Sequence, residues 1–548
     1  MFLRPTTNFR FRNSNEFVDS VVNDNLNLYA FVSRSYPWDD ETNPPSAVIS
    51  TDEQRNVWDD MMILRKIQPT DVVLGIRRIP WERDSVYQEF DNSIDLQEEN
   101  FYIFTQPEGN IYLCIDNNNG APSTEKPTHR DENVVQESDG YKWKYMTTIS
   151  TSLINKFLLN DYVPFESNEE IVESSTPGTI EHLKIESSGN GYPQNASIGD
   201  SSELPVFIEG NGTQVSTATA TVTVIQGSIR SINLTSSGND YFYGPGVEFP
   251  IAIRQTTTNG VVQNAYGLAT TNLNGEIDSV SVIIGGSGYQ PGSVSIVQSS
   301  AEGYAETNSE GQIINAEMRI GRFGKDFFKA SAIVVSEFGS GGQLTPTISP
   351  KGGFGVDQGK QLHAHYALIS LEVDADDILS LATFNEFRQI GLISDPLEYS
   401  NDPLLSDGAV DSDGGNVYES DGTISGTSLT INSADAKHRL ELTGSNQGFI
   451  ENETIVGETS GVVGLNTVRF GVDTLRFSLD DSIISQDDTE FIVGEQIRGL
   501  SSGNTAIVSN FYRPEVEKYS GEIFHINNIE PIIRNDDQRI LITFALKY

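Results

Sequence analysis

Apolar residues along this chain alternate with polar ones far more often than they recur at helical spacing. The alternating segments are short, and 48 glycines and 22 prolines separate them together with many serine, threonine and asparagine residues. Alternation places every second side chain on one face of a strand, and turn residues end each strand. The pattern predicts a mainly β fold with a few short helices.

Two segments near the start of the chain have helical spacing instead. Asn13 and Glu16 form a capping box ahead of the apolar positions in 17–22. Ser50 and Glu53 form a second box, followed by Val57, Met61 and Leu64 at helical spacing. The two side chains of a capping box satisfy backbone N–H groups at the start of a helix. We therefore predict one short helix after each box.

Strands are predicted in the same part of the chain. Residues 26–32 alternate as a strand does, and Tyr141, Trp143 and Tyr145 place three aromatic rings on one face of a later strand. Helices and strands together predict an α+β unit over residues 1–172.

A repeated unit begins at about residue 173. In its first three copies a tyrosine follows an isoleucine by 12 residues, with alternating apolar residues and a glycine-rich turn between them; the pairs are Ile180 and Tyr192, Ile229 and Tyr241, and Ile277 and Tyr289. A degenerate fourth copy runs from Ile313 to Phe327. A strand, a turn that needs glycine and a ring that covers the next strand explain the pattern. We predict a β-repeat region over 173–335.

A second repeat lies near the C-terminal end. Seven positions recur at a constant offset of 42 residues; they are Phe449, Ile450, Glu453, Ile455, Gly457, Ser460 and Gly461, which match Phe491, Ile492, Glu495, Ile497, Gly499, Ser502 and Gly503. Such agreement predicts two equivalent hairpin units that form a small β domain over 423–512.

The segments between and after the repeats complete the predicted organisation. Residues 336–402 and 513–548 have the alternation of core strands. Residues 403–422 are rich in Asp, Gly and Ser and too poor in apolar residues to pack, so they predict an exposed acidic linker. The overall prediction is a β-sandwich-like core together with two β-repeat regions.

Composition narrows the function classes. The chain has 77 acidic and 35 basic residues, a formal net charge of −42. This charge disfavours binding to nucleic acid and to anionic membrane surfaces, because like charges repel. A hydrophobic fraction of 37% allows a sizeable core, so the chain is not a disordered acidic tail.

Cysteine use and the N-terminal sequence indicate the compartment. Cys114 is alone, which excludes an intrachain disulfide and fits folding in a reducing cytoplasm. The basic residues near the start are not followed by an apolar stretch, so we expect no signal peptide. No segment approaches the roughly 18 apolar residues of a membrane-spanning helix.

The stretch Gly352–Gln361 imitates a phosphate-binding loop. Phe354 occupies the position of the first motif glycine, and Gln361 replaces the Ser or Thr that would bind magnesium. The segment is therefore predicted to be a glycine-rich turn, without a nucleotide.

The metal candidates are weak. His363 and His365 would lie on the same face of a strand, but no third ligand is visible, and zinc sites use three or four. The aspartates of the acidic tract resemble a calcium loop in composition only; they are Asp407, Asp411, Asp413 and Asp421, and the twelfth position from Asp411 is Gly422 rather than Glu. We expect no metal and no cofactor.

Local catalytic motifs are missing from the sequence. There is no HExxH, no nucleophile elbow and no local Ser-His-Asp grouping, so no catalytic residue is predicted. A pair of carboxylates that cleaves glycans could still be assembled in space, since such pairs need no sequence motif. The expectation is a scaffold or binding protein without a small-molecule substrate rather than an enzyme.

Several sequence blocks have a familiar order. They are Arg34-Ser35-Tyr36-Pro37-Trp38, Asp139 to Tyr145, Phe387-Arg388-Gln389-Ile390 followed by Pro396-Leu397-Glu398, and Ser520-Gly521-Glu522 followed by Pro531. In this order they resemble the baseplate wedge subunit of contractile-tailed, T-even-like bacteriophages. The signature positions that carry the resemblance are Arg34, Pro37, Trp38, Tyr141, Trp143, Phe387, Arg388, Gln389, Pro396, Leu397, Glu398, Ser520, Gly521, Glu522 and Pro531.

The resemblance implies a non-enzymatic virion protein of the tail baseplate, assembled in the host cytoplasm. It implies a homodimer that contacts other wedge proteins and takes part in the rearrangement before sheath contraction. The regions 173–335 and 423–512 have no counterpart that we recognise, so they are expected to be insertions into the family core.

Two other functions remain open. Repeated glycine-tyrosine turns could present aromatic rings to sugars, as in a fibre-like receptor or carbohydrate-binding tail protein. A β-rich glycan hydrolase with spatially assembled carboxylates is the other.

Overall fold

The protein is described by a computed structural model over residues 5–91, 96, 99–197, 202–255, 261–373, 386–399, 427–479, 490–533 and 540–548. Strands hold 47% of the residues and helices 10%, which confirms the mainly β prediction. The chain forms two compact units: Met1–Phe11 with Gly75–Ala364 (the first unit), and Arg12–Leu74 with His365–Tyr548 (the second unit). The predicted linker 403–422 lies outside the described residues.

The helices are α1 (Thr7–Val22), α2 (Thr51–Asp60), α3 (Thr151–Phe157), α4 (Glu169–Ser174) and α5 (Gln358–Gln361), with a 3-10 turn at Pro69–Asp71. The strands before the first repeat are β1 (Leu28–Ser33), β2 (Ile63–Lys66), β3 (Val72–Arg77), β4 (Tyr102–Phe104), β5 (Asn110–Asp116), β6 (Val135–Gln136), β7 (Lys142–Thr148) and β8 (Tyr162–Pro164). The strands of the first repeat region are β9 (Ile180–Asn190), β10 (Leu204–Gly210), β11 (Gln214–Ile225), β12 (Ser228–Ser236), β13 (Phe249–Gln255), β14 (Ala265–Thr271), β15 (Ile277–Ile284), β16 (Gly292–Ser299), β17 (Ala301–Thr307), β18 (Ile313–Phe323), β19 (Ala330–Val334) and β20 (Ser340–Ile348). The remaining strands are β21 (Tyr366–Val373), β22 (Glu386–Ser394), β23 (Ser433–Asp435), β24 (His438–Thr443), β25 (Glu453–Gly457), β26 (Val463–Phe470), β27 (Thr474–Leu479), β28 (Gln496–Gly499), β29 (Thr505–Tyr512), β30 (Glu522–Ile533) and β31 (Ile540–Lys547).

One helix start was predicted correctly and the other was not. Ser50 precedes α2, and its side chain accepts a hydrogen bond from the Glu53 N–H at 3.2 Å, as predicted. The helix ends earlier than its pattern predicted, at Asp60, and Leu64 lies in β2. The prediction that a helix begins after Asn13 is wrong, because α1 begins at Thr7. The Thr6 hydroxyl oxygen accepts a hydrogen bond from the Phe9 N–H at 3.3 Å, so a threonine at the start of α1 provides the cap.

The core of the second unit is a β sandwich. One layer is the antiparallel sheet β23-β2-β1-β22-β30, and the other contains the antiparallel pair β21 and β31. Leu28 and Phe387 from the first layer pack with Ile369, Ile542 and Phe544 from the second in one buried cluster. Strand β1 is buried on both faces, since α2 covers its other side.

The second unit also contains a closed six-stranded barrel, β24-β27-β26-β25-β28-β29, which holds both copies of the 42-residue repeat. The copies exchange contacts: Glu453 of the first copy accepts hydrogen bonds from the backbone N–H groups of Ser501 and Ser502, at 3.2 and 3.0 Å. The barrel begins at His438, and β23, although within 423–512, is an edge strand of the core sheet.

Three sheets lie wholly within the described part of the first unit. In the smallest, β4-β5-β7-β6, the strand β7 contains Trp143 and Tyr145 of the predicted aromatic strand, and Tyr141 directly precedes β7. All three of these aromatic residues are buried. The other two have six strands each, in the orders β18-β17-β10-β19-β20-β9 and β12-β11-β16-β13-β14-β15. Phe207 and Val335 of one six-stranded sheet pack against Ala252, Tyr266 and Val297 of the other.

The four repeat copies pair in a nested order, the first with the fourth and the second with the third. In each pair, the backbone N–H of the aromatic residue in one copy donates to the carbonyl oxygen of a glycine that precedes the other copy. These bonds, between 2.9 and 3.2 Å, join Tyr192 to Gly311, Phe327 to Gly178, Tyr241 to Gly275 and Tyr289 to Gly227. All four glycines have φ between +63° and +79°, where a side chain would be strained.

Candidate functional site

The signature residues Arg34, Pro37 and Trp38 form a compact loop directly after β1. The Arg34 guanidinium lies 3.6 Å from the centre of the Trp38 ring and donates a hydrogen bond to the Pro37 carbonyl oxygen at 3.2 Å. Trp38 Nε1 in turn donates to the carbonyl oxygen of Ile529 on β30, at 3.1 Å. The loop therefore connects the end of β1 to β30, which is an edge strand of the core sheet.

Arg388 is the most densely bonded signature residue. Its side chain is only 3% exposed and forms a bidentate ion pair with Glu41, with Nε 2.7 Å from Oε1 and Nη2 3.1 Å from Oε2. It also pairs with Glu386 and donates to the carbonyl oxygen of Ser35 at 2.9 Å. Hydrogen bonds from Arg388 lower the pKa of the Glu41 carboxyl, so the pair is charged at neutral pH.

The neighbours of Arg388 on β22 have separate roles in the same core. Phe387 is buried in the cluster between the two sheet layers. The Gln389 side-chain amide donates to Asn528 Oδ1 on β30 at 2.8 Å and to Glu53 Oε1 on α2 at 3.3 Å. Phe387 therefore packs in the core, and Gln389 connects β22 to both β30 and α2.

The last two signature blocks meet each other. The Leu397 N–H donates to the Ser520 hydroxyl oxygen at 3.0 Å, and Glu522 pairs with Ser394 in the register of β22 and β30. A Cβ on Gly521 would lie 2.5 Å from the Ser394 carbonyl oxygen, so the close approach requires glycine. The remaining members are Pro396, which borders Gly521, Glu398, which accepts a hydrogen bond from the Thr430 hydroxyl at 3.0 Å, and Pro531, which lies in β30.

Tyr141 and Trp143 belong to the first unit and form a separate cluster. Their rings stack with centres 5.5 Å apart, and Tyr87 contacts both edge-on. The Tyr141 hydroxyl donates to the Ala121 carbonyl oxygen at 2.6 Å, and burial raises its pKa to about 12. The signature residues other than Pro531 thus have packing or hydrogen-bonding roles within their own units.

The predicted placement of the histidine pair is wrong. The strand begins at Tyr366, so neither His363 nor His365 lies on it. His363 has φ +56° and packs against the ring of Phe101, at 4.8 Å between ring centres, while Tyr548 donates a backbone hydrogen bond to the His365 carbonyl oxygen. Among the described residues, no group of three or more His, Cys, Asp or Glu side chains could hold a metal ion. The aspartates of the acidic tract lie outside the described residues.

The glycine-rich segment that imitates a phosphate loop is a turn that leads into α5. Its interior is filled by the Gln361 side chain, which accepts from the Gly355 N–H and donates to the Gly353 carbonyl oxygen, both at 2.8 Å. Sequence reasoning missed the cavity of about 350 Å³ beside this turn, which Phe90, Lys351 and Lys360 help to line.

A larger groove, of about 570 Å³, lies in the second unit where the barrel joins the core. Three carboxylates and three aromatic rings line it; they are Glu398, Glu490 and Glu515 with Tyr399, Phe511 and Tyr512. No local motif could have indicated this groove, because its residues come from distant parts of the sequence.

Comparison with known proteins adds no relative. No protein-family model matches the sequence, and no curated protein matches it significantly. No helix within the described ranges combines the length and the apolar character needed to cross a membrane.

Proposed function

We propose that this protein is a structural subunit of the baseplate wedge of a contractile bacteriophage tail. The supporting observation is that signature blocks from distant parts of the sequence meet in one sandwich. Arg388 donates to the carbonyl oxygen of Ser35, and the Leu397 N–H donates to the Ser520 hydroxyl oxygen. Three of the four blocks that resemble the wedge family are therefore parts of one core, whereas the block Asp139 to Tyr145 lies in the first unit.

In this role the subunit forms a homodimer, holds neighbouring wedge proteins together and takes part in the rearrangement before sheath contraction. The acidic surface keeps the chain soluble in the host cytoplasm before assembly into the virion and favours basic patches on partners. The outer surfaces of the barrel and the sandwich then serve as contact area rather than as a reaction site.

The alternative of a sugar-binding tail protein loses its main argument. Tyr241 and Tyr289 are 4% and 1% exposed, so their ring faces are covered by protein. Their hydroxyls donate to the carbonyl oxygens of Ile296 and Ile253, which uses the polar end of each ring as well. Sugars stack on exposed rings, so these turns favour a structural role.

Electron microscopy of tails from the phage that encodes this chain tests the proposal. We expect density for the sandwich and the barrel in the baseplate ring, at a constant number of copies in every wedge. A mutant phage that lacks the chain should produce no complete baseplates. Tails that assemble and contract without the chain, or density out on a fibre, would overturn the proposal.

A further inference from the structure

The groove in the second unit carries an uncompensated negative charge. Glu398, Glu490 and Glu515 line it, and Arg513 is the single cation among its described lining residues. Arg513 forms an ion pair with Glu490. Arg439, whose guanidinium lies 4.1 Å from the centre of the Tyr512 ring, is a second cation beside the groove. Three carboxylates therefore face two guanidinium groups, and a net negative charge remains.

The two other carboxylates are held in place by the protein itself. Glu515 accepts a hydrogen bond from the Asp435 N–H at 2.8 Å, and Glu398 accepts one from the Thr430 hydroxyl at 3.0 Å. Each of these bonds uses one carboxylate oxygen. Fixed carboxylates attract a cation without first having to order their own side chains.

The walls of the groove favour a particular kind of cation. Tyr399, Phe511 and Tyr512 provide aromatic faces, which attract a positive charge placed above the ring. The protein already places arginines near two of these rings: Arg513 lies 6.0 Å from the centre of Tyr399, and Arg439 lies 4.1 Å from that of Tyr512. A planar guanidinium suits both carboxylates and rings, whereas Ca²⁺ and Mg²⁺ need a shell of oxygen ligands, which aromatic rings do not provide.

We propose that this groove binds an arginine-containing basic segment of a partner protein. The arginine side chain lies along the apolar wall, and its guanidinium meets the carboxylates at the end of the barrel. The inference deepens the proposed function by naming the chemistry of one partner, and it rests on that function only for the presence of protein neighbours.

Fluorescence anisotropy on the full chain tests the proposal. The probe is a labelled peptide in which arginines alternate with glycines, and the control peptide has glutamine in place of arginine. We expect the arginine peptide to bind more weakly as salt rises, and the glutamine peptide not to bind.

Matched variants locate the binding. Glu490→Gln and Glu515→Gln should each weaken the arginine peptide about fivefold, the value of one exposed charge contact. Glu451→Gln is the control, because Glu451 and Arg469 form another barrel ion pair of similar exposure, 38% and 35% against 42% and 37% for Glu490 and Arg513. This control variant should bind as the wild type does.

Three results would overturn the inference: equal weakening by Glu451→Gln, binding of the glutamine peptide, or displacement of the peptide by one calcium ion per chain. Tyr399→Leu, which removes a ring but no charge, should also weaken binding and keeps the test open if Glu515→Gln does not fold. Peptide binding by the purified chain and the presence of the chain in tails are separate measurements, so either proposal can fail alone.

Discussion

Glu495 and Ser460 belong to different copies of the 42-residue repeat and are joined by two hydrogen bonds of 2.9 Å. The Ser460 N–H donates to one carboxylate oxygen of Glu495, and the Ser460 hydroxyl donates to the other. Glu453 binds Ser502 in the same way, at 3.0 and 2.9 Å. Each copy therefore provides the carboxylate that accepts hydrogen bonds from a serine in the other copy.

The first prediction concerns this exchange. Glu495→Ala leaves the N–H groups of Thr459, Ser460 and Ile492 without their acceptor, so we expect a loss of about 3 kcal/mol in barrel stability. Hydrogen exchange of barrel amides in the full chain measures it. Glu453→Ala should cost a similar amount.

The control for the exchange is Glu458→Ala. Glu458 is also in the barrel but its side chain is 42% exposed, so its loss should change stability by less than about 0.5 kcal/mol. Equal effects at positions 458 and 495 would show that the exchange contacts do not hold the barrel together.

The second prediction concerns the turn tyrosines. The Tyr289 hydroxyl donates to the Ile253 carbonyl oxygen at 2.5 Å and accepts from the Ala265 N–H at 2.9 Å. Tyr289→Phe should therefore destabilise the first unit by about 2 kcal/mol, as measured by urea unfolding. Tyr304→Phe is the control, because the Tyr304 hydroxyl forms no hydrogen bond with any described residue; a loss of equal size there would contradict the prediction.

The third prediction concerns acid. His438 lies between the rings of Phe477 and Phe511, with centres 5.6 and 5.8 Å away, and burial lowers its pKa to about 3. The unfolded chain, with an ordinary histidine pKa of about 6.5, binds the proton first as pH falls. Barrel stability should therefore decrease by about 1.4 kcal/mol for each pH unit below about 6, until the pH approaches 3.

A variant isolates this effect. His438→Phe keeps a ring between the two phenylalanines and removes the titrating group, so the barrel should lose this part of its acid sensitivity. Hydrogen exchange of barrel amides at neutral and mildly acid pH compares the two slopes. His129→Phe, in the first unit, should leave the barrel slope unchanged, and a variant slope identical to the wild type would refute the assignment to His438.

The fourth prediction concerns the contact between signature blocks. Gly521 has φ +67°, and a Cβ there would lie 2.5 Å from the Ser394 carbonyl oxygen. Gly503 has φ +69° with open space around its Cβ position. Gly503→Ala should cost about 1 kcal/mol from backbone strain, and Gly521→Ala at least about 2 kcal/mol more from the clash. Thermal unfolding of the two variants measures both losses of stability, and equal losses would contradict the close approach at Gly521.

Local patterns in the sequence predicted local structure well in some places and not in others. Alternation and turn residues predicted a mainly β chain, and the Ser50 box predicted the start of α2. The Asn13 box failed because Thr6 offers an earlier cap and the intervening residues continue the helix. His363 left the predicted strand because the chain takes a left-handed conformation there, which no alternation pattern encodes.

The candidate site was also only partly predictable from the sequence. The signature residues could be selected from the sequence, but their partners could not: Arg388 pairs with Glu41, and Leu397 with Ser520, across long stretches of chain. The groove combines Tyr399 with Tyr512 and was invisible to any local motif.

The sequence by itself determined the class of fold, the repeats and their period, because alternation, turn chemistry and recurrence are properties of neighbouring positions. Only the tertiary structure decided which copies pair. In the first repeat region, the first copy pairs with the fourth, and in the barrel Glu453 of one copy binds the turn of the other. Burial of apolar strands brings these positions together, and the buried polar groups then need partners. Equivalent copies carry equivalent local signals, so which of them become neighbours depends on how the whole chain packs.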